Sequence, residues 1–387
     1  MEVDYFGLEG FRPEAVPSPC FVVDKAAIRK NLAILDSIQK TSGARILLAQ
    51  KGFSMFSLYP MISQTLKGVC ASGVYEAKLG REAFGKEVHT YSPAFVPEQF
   101  ETILELSDHV VFNSFSQWAR FRSSCLSFEG RVSCGIRVNP EVSTAAVRLY
   151  DPSAPGSRLG VTAAEFRPEL LDGIEGLHFH ALCEQNADDL ERVLKGFHHS
   201  FGTWAGRMRW INFGGGHHIT RNDYDRALLC RLIEECSDRY GVDVYLEPGE
   251  AVALNSGVLV ATVLDIIQND GRIALLDTSA ATHMPDVLEM PYRPEIAGAG
   301  KQGEKRYTYR LGGSSCLAGD VIGTYSFDTP LEPGSRLVFG DMAHYSMVKT
   351  TTFNGVPLPA IATYDSATGT LEVVKQFGFE DFRERLS

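Results

Sequence analysis

The sequence predicts an α/β chain, a (β/α)8 barrel followed by a β-rich second domain, and three observations carry that expectation. Eight short apolar runs alternate with helical patterns between residues 45 and 246, the strand count of a (β/α)8 barrel. After Glu250 the pattern turns to β-rich runs punctuated by glycine and proline, with little helix. The chain has 387 residues, more than one barrel of about 250 residues uses, so two domains are the better count. A doubly wound open sheet is the competing arrangement, because alternation alone does not count closure.

Taken in order, Pro19–Val23 reads as a strand. Asp24 reads as the N-cap of a helix whose apolar residues fall at Ile28, Leu32, Leu35 and Ile38. The barrel strands are expected at Arg45–Gln50, Gly68–Ala71, Glu87–Tyr91, His109–Phe112, Val132–Val138, Ile174–His180, Arg209–Phe213 and Val242–Leu246. Helical patterns between them include Pro97–Ser107, Ala187–Phe201 and Asp223–Tyr240. Asn139–Gly160 carries three prolines and no period, so it is expected as a long loop over one end of the barrel. Beyond the barrel, Val258–Ile267, Arg272–Leu276 and Arg336–Phe339 read as strands.

Composition narrows the function. A hydrophobic fraction of 44% and a charged fraction of 22% are those of a globular protein, and no run approaches a membrane span. The opening Met-Glu-Val-Asp-Tyr-Phe is acidic where a secretory signal is positive, which points to the cytoplasm. A formal net charge of −11 argues against nucleic acid and suits a cationic small molecule. The eight cysteines, Cys20, Cys70, Cys125, Cys134, Cys183, Cys230, Cys236 and Cys316, form no C-x-x-C pair. Free thiols are expected rather than a disulfide framework or a zinc site.

Four candidate groups fall independently at C-terminal strand ends, where chemistry collects in this fold. Lys51 follows the first strand, where a lysine can lose its proton and form an imine with an aldehyde, or simply reach solvent. Gly214-Gly215-Gly216 follows the seventh, a place where backbone amides can turn toward a phosphate, although a tight turn alone also uses glycine. Glu247 ends the eighth. It suits a general base, a metal ligand or a partner for a protonated heterocycle, against a surface salt bridge, and Pro248-Gly249 makes an abrupt turn beside it. His178 and His180 share the face of a strand as a metal pair would. Their mid-chain position favours one imidazole stacking on a flat cofactor and one satisfied by neighbours. His217, His218, His198 and His199 read as loop and helix-surface residues. An imine-forming lysine, an anion cradle, a carboxylate and a stacking imidazole together match the needs of pyridoxal 5′-phosphate.

Several stretches then carry a resemblance. They are Ser72-Gly-Val-Tyr-Glu-Ala-Lys-Leu-Gly-Arg81, His178-Phe-His-Ala-Leu-Cys-Glu-Gln185, Asn212-Phe-Gly-Gly-Gly-His-His-Ile-Thr-Arg221 and Leu246-Glu-Pro-Gly-Glu250, with His283-Met-Pro-Asp-Val-Leu-Glu-Met-Pro291, Cys316-Leu-Ala-Gly-Asp320 and Asp341-Met-Ala-His-Tyr-Ser346. From about Pro17 to near its C-terminus the chain resembles the fold-type III, alanine-racemase-like pyridoxal-phosphate decarboxylases, and within them the branch acting on carboxynorspermidine and carboxyspermidine. The resemblance implies that Lys51 binds the cofactor, His180 stacks on its ring and Glu247 pairs with the pyridine nitrogen. It also implies that Gly214, Gly215, Gly216 and Tyr345 bind the phosphate, with Cys183 assisting. Cys316 is implied as the acid at the α-carbon, supplied from the neighbouring subunit of a head-to-tail homodimer.

Two departures from the wider family bear on substrate. Glu250 stands where many relatives have a phosphate-binding arginine, and Leu317 where amino-acid decarboxylases of this fold often have an acid. A carboxylated polyamine needs separated carboxylates for its ammonium groups, and Glu250, Asp286 and Asp320 are the candidates. Residues 1–42 are expected to join the β domain, 43–250 to form the cofactor-binding barrel and 251–387 the β-rich domain. The rival readings are a decarboxylase of a shorter diamino acid such as diaminopimelate, a racemase, a non-catalytic pyridoxal-phosphate carrier and a metal hydrolase using His178 and His180.

Overall fold

The computed structural model describes residues 4–128, 132–145 and 147–387, and the chain divides into two compact units. One is built from Met1–Lys30 and Ala253–Ser387, the other from Asn31–Val252. Among the described residues no helix is long and apolar enough to cross a membrane.

The first strand, β1 (Cys20–Asp24), is buried along its whole length. Asp24 then caps the helix Lys25–Ser42, its carboxylate accepting from the amides of Ala26 at 3.0 Å and Ala27 at 3.2 Å.

The second unit is a closed barrel of eight parallel strands. These are β2 (Arg45–Ala49), β3 (Gly68–Ala71), β4 (Glu87–Tyr91), β5 (His109–Phe112), β6 (Ser133–Arg137), β7 (Gly176–His178), β8 (Trp210–Asn212) and β9 (Asp243–Leu246). Closure is made by β9 pairing with β2, Tyr245 opposite Arg45 and Leu246 opposite Ile46. The open-sheet alternative is thereby excluded. Leu47, Val111, Trp210 and Tyr245 fill the barrel interior, with Tyr91 packed against them. The indole of Trp210 needs bare backbone on the two preceding strands. A Cβ at Gly176 would lie 2.1 Å from it and one at Gly135 2.3 Å. Its Nε1–H donates to Ser133 Oγ at 2.9 Å, so the ring is buried without an orphaned donor.

The strands β7 and β8 are shorter than the sequence predicts, three residues each, because the chain leaves the barrel wall at His178 and Asn212 to build loops. The helix after β8 also starts later, at Arg226, since Asp225 is its cap and accepts from Leu228 N at 2.9 Å. The stretch Asn139–Gly160 contains only the short turn Arg148–Tyr150 among its described residues, as a long loop would.

The first unit is a mixed sheet. Its remaining strands are β10 (Gly257–Gln268), β11 (Arg272–Leu276), β12 (Tyr307–Gly312), β13 (Val321–Phe327), β14 (Arg336–Gly340), β15 (Ala360–Asp365) and β16 (Thr370–Lys375). They run in the order β13-β12-β11-β10-β1-β15-β16, with β14 paired to β10. Strand β10 is long because it serves different neighbours along its length. Its first half pairs with β1 and β14 and is buried; beyond an irregularity between Val263 and Asp265 it pairs with β11 and is more exposed.

Candidate active site

The C-terminal strand ends of the barrel converge as the sequence predicts. Lys51 follows β2 on a turn, and its side chain is exposed. That turn lies directly against Pro248-Gly249-Glu250. Ala49 N donates to Pro248 O at 3.1 Å, and a Cβ on Gly52 would meet Gly249 Cα at 3.0 Å. Two glycines therefore bring the lysine turn and the glutamate turn into backbone contact.

Glu247 is the best-defined group of the site. Its Oε1 accepts from Asn212 Nδ2 at 2.7 Å, and its Oε2 lies 3.2 Å from His178 Nε2. Burial alone would raise its pKa; contact with His178 and the hydrogen bond from Asn212 outweigh it and hold the carboxyl at about 2. Burial in turn pulls His178 below the ordinary imidazole value, so Nε2–H acts as a neutral donor. A negative charge is thus kept at the barrel mouth between two neutral donors, which suits a protonated ring nitrogen. Glu247 is 8% exposed, which rules out the surface salt bridge.

His180 lies beyond the end of β7. Burial, with the Lys51 and Arg137 charges adding, holds its pKa well below the usual value. Gly215 N–H donates to its Nδ1 at 2.7 Å, which leaves the proton on Nε2. The three glycines are imposed by close approach. A Cβ would fall 2.5 Å from Phe179 O at Gly214, 2.5 Å from Glu247 O at Gly215 and 2.1 Å from Leu182 O at Gly216. Gly214 N donates to Asn212 Oδ1 at 2.8 Å, so two of the three amides already have protein acceptors. The cradle is narrower than three glycines suggest. Cys183 stands beside it, half-buried; burial, with Glu184 and Glu250 adding, pushes its thiol up to about 12, so it remains a neutral donor.

Reading the sequence alone misses Arg137, Asn212 and the burial of two histidines. Arg137 ends β6, is 4% exposed, donates to His180 O at 3.0 Å and stacks 4.7 Å over the Tyr91 ring. Its signal was an arginine at the C-terminal end of an otherwise buried strand. His217 and His218, expected on a loop surface, are buried instead, because the glycine loop folds back so that His218 N bonds Gln185 O at 3.2 Å. Among the described residues, His178 and His180 do not form a three-ligand metal cluster together.

Cys316, Tyr345, Asp286 and Asp320 belong to the sheet unit. Cys316 is exposed on the loop joining β12 to β13, its amide donating to Asn354 Oδ1 at 2.8 Å. Tyr345 is half-buried at the start of the helix Ser346–Lys349. Asp286 pairs with Lys349, which also reaches Glu289 at 2.6 Å, so a ligand ammonium at Asp286 has to compete with a resident one. Asp320 departs most from its expected substrate role. It is 5% exposed, and its oxygens accept from Ser279 Oγ, Ala280 N, Ala281 N, Ser315 N and Ser315 Oγ. Five donors leave it little capacity for an ammonium; it organises the backbone that carries Cys316.

The buried histidines have a consequence for stability. Burial lowers His217 in the barrel unit and His283 in the sheet unit to about 4. The unfolded chain takes up those protons near pH 6.5, so the contribution is whole above that pH and is lost as pH falls toward 4. The slope is about 1.4 kcal/mol per pH unit for each group. Urea midpoints measured from pH 7 to pH 5 are expected to fall; a flat profile would contradict the burial of these rings.

Comparison with known proteins adds the chemistry. The profile of the pyridoxal-dependent decarboxylase C-terminal sheet domain matches residues 20–343. A carboxynorspermidine/carboxyspermidine decarboxylase of Campylobacter jejuni is 45% identical, covering 96% of this chain and 99% of its own. A carboxyaminopropylagmatine decarboxylase of Synechocystis is 44% identical, covering 98% of each chain. The crystal structure of carboxynorspermidine decarboxylase from Campylobacter jejuni complexed with norspermidine superposes with a TM-score of 0.89 at 44% identity, over 96% of this chain and 100% of that one.

Proposed function

Because this chain belongs to the pyridoxal-dependent decarboxylases, we propose that it decarboxylates carboxynorspermidine or carboxyspermidine to norspermidine or spermidine, with pyridoxal 5′-phosphate as cofactor. The near-full-length similarity to a relative named for those substrates carries the reading. Glu250, in place of an arginine, supports it by adding a carboxylate beside Glu247. The Synechocystis relative favours a second reading, a substrate ending in a guanidinium rather than an ammonium. Both relatives are named for substrates other than diaminopimelate, which with Leu317 sets that rival behind.

The residues at the barrel mouth fit the cofactor: an ionised buried carboxylate, a neutral imidazole, a glycine turn and a lysine. Pyridoxal phosphate supplies an electron-accepting ring for the pair left behind when carbon dioxide departs. In this reading the Lys51 amine holds the aldehyde carbon and the Glu247 carboxylate keeps the ring nitrogen protonated. His180 holds the ring. Gly216, with Cys183 and Tyr345, holds the phosphate, while Gly214 and Gly215 shape the turn that carries it. Cys316 delivers the proton to the α-carbon, Glu250 and Asp286 take substrate ammonium groups, and Asp320 positions the Cys316 loop. The location is cytoplasmic. Carbon dioxide release should be measured with carboxynorspermidine, carboxyspermidine, carboxyaminopropylagmatine and diaminopimelate in parallel. Turnover of diaminopimelate alone would overturn the proposal.

The exposed Cys316 thiol suits donation to a neighbouring subunit's site in a homodimer. Loss of a general acid costs about 10²–10⁴-fold, which applies to Cys316→Ala, and Lys51→Ala removes the amine that binds the cofactor, so each is expected to be nearly inactive. Mixed and re-equilibrated, they are expected to recover about a quarter of wild-type activity, because half the dimers then hold one intact shared site. No recovery on mixing would place both residues in one subunit's site.

A further inference from the structure

Outside the groups assigned to the cofactor, Glu184, His218 and Glu250 gather at the mouth of the barrel. One ligand atom from each lies within 4.8 Å of the others, and His218 Nε2 is 3.3 Å from Glu250 Oε2. His218 is 6% exposed, yet neither of its ring nitrogens has a hydrogen-bond partner among the described residues; the 3.3 Å approach to Glu250 lacks hydrogen-bond geometry. A buried imidazole aimed between two carboxylates without a bond of its own is a group waiting for a ligand. Glu184 is held there by its neighbours: Arg221 Nη1 donates to its carbonyl at 3.3 Å, and the next residue, Gln185, bonds Gly216 O at 3.0 Å.

We propose that these three side chains seat one ammonium group of the substrate, with Glu184 as a specificity residue alongside Glu250. The proposal rests on the polyamine reading above. A primary ammonium has three N–H donors and no acceptor. When each donor reaches an acceptor at about 2.8 Å, tetrahedral geometry spaces the acceptors up to about 4.6 Å apart, which this cluster matches. Two carboxylates supply the charge, and an imidazole ring nitrogen supplies the third acceptor. The cluster adjoins the glycine turn through His218 and the Lys51 turn through Glu250, so the terminal ammonium of an extended substrate is the one it suits. The same donors also make a set for zinc or manganese, which the test must separate.

The experiment uses the cofactor-loaded protein. Norspermidine binding is measured by calorimetry, and steady-state kinetics with carboxynorspermidine are run on wild type, Glu184→Gln and Glu184→Asp. Glu184→Gln keeps shape and removes charge at an exposed position, so folding is not at stake. Its Kd for norspermidine and its KM are expected to rise on the order of 10-fold, with kcat little changed, as for one partly exposed charge-assisted bond. Glu184→Asp is expected to recover part of that loss. Unchanged Kd and KM in Glu184→Gln, with wild type active on carboxynorspermidine, would overturn the ammonium seat alone. A wild-type protein inactive on every carboxylated polyamine would overturn the functional reading and the seat with it. Stoichiometric zinc retained by wild type and lost in Glu184→Gln, with norspermidine binding unaltered, would reassign the cluster to a metal.

Discussion

Lys51→Ala is expected to lower kcat/KM by at least about 10³-fold and to leave a protein whose cofactor borohydride no longer fixes to the chain. The geometry explains why no neighbour substitutes. The groups that feel the Lys51 charge are His178, His180, Cys70 and Cys183, two imidazoles whose pKa values burial pulls down and two thiols whose pKa values burial pushes up. None offers an amine. Arg137 is close by but is a guanidinium that stays protonated and already donates to His180 O. Mass spectrometry of the reduced protein should place the cofactor on the peptide containing Lys51 in wild type. Full activity in the alanine variant would end the pyridoxal mechanism for this chain.

Glu247→Gln carries the second large effect, a fall of about 10²–10³-fold in kcat with norspermidine still bound. The substitution isolates charge from shape. Glutamine places an amide where Glu247 now accepts from Asn212 and His178, so one donor would face another donor. His178 can relieve this, because its Nδ1 is unpartnered and can take the proton from Nε2. The fold is therefore expected to survive while the ion proposed to face the ring nitrogen is removed. Kinetics and calorimetry on the same preparation check the expectation; a variant with wild-type kcat would show that the carboxylate only builds the barrel mouth.

The legible part of the molecule was the part written as strand ends. Lys51, Glu247 and the glycine run each follow a buried strand, and period and punctuation locate such ends within a residue or two. Glu87–Tyr91 and His109–Phe112 matched in full. What stayed hidden depends on pairing across the barrel. Asn212 meets Glu247 only because β8 and β9 lie side by side, Asn212 opposite Tyr245. His217 and His218 look like surface residues in a polar loop until the glycines fold that loop inward. Asp320 reads as a spare acid beside Cys316, and only the backbone amides turned toward it reveal its use. Glu184 lies within a stretch that carries the resemblance but has no role legible there, since His218 and Glu250 lie more than thirty residues ahead in the chain.

Trp210 and the glycines at 135 and 176 are, for inheritance, a single character spread over three codons. The indole occupies the space two side chains would need. Replacing the tryptophan alone opens a void at the heart of the barrel, and enlarging either glycine alone leaves the ring nowhere to go. A library that varies the three positions together is expected to yield folded alternatives that single changes do not. The barrel interior thus ties three separate positions of the gene to one another.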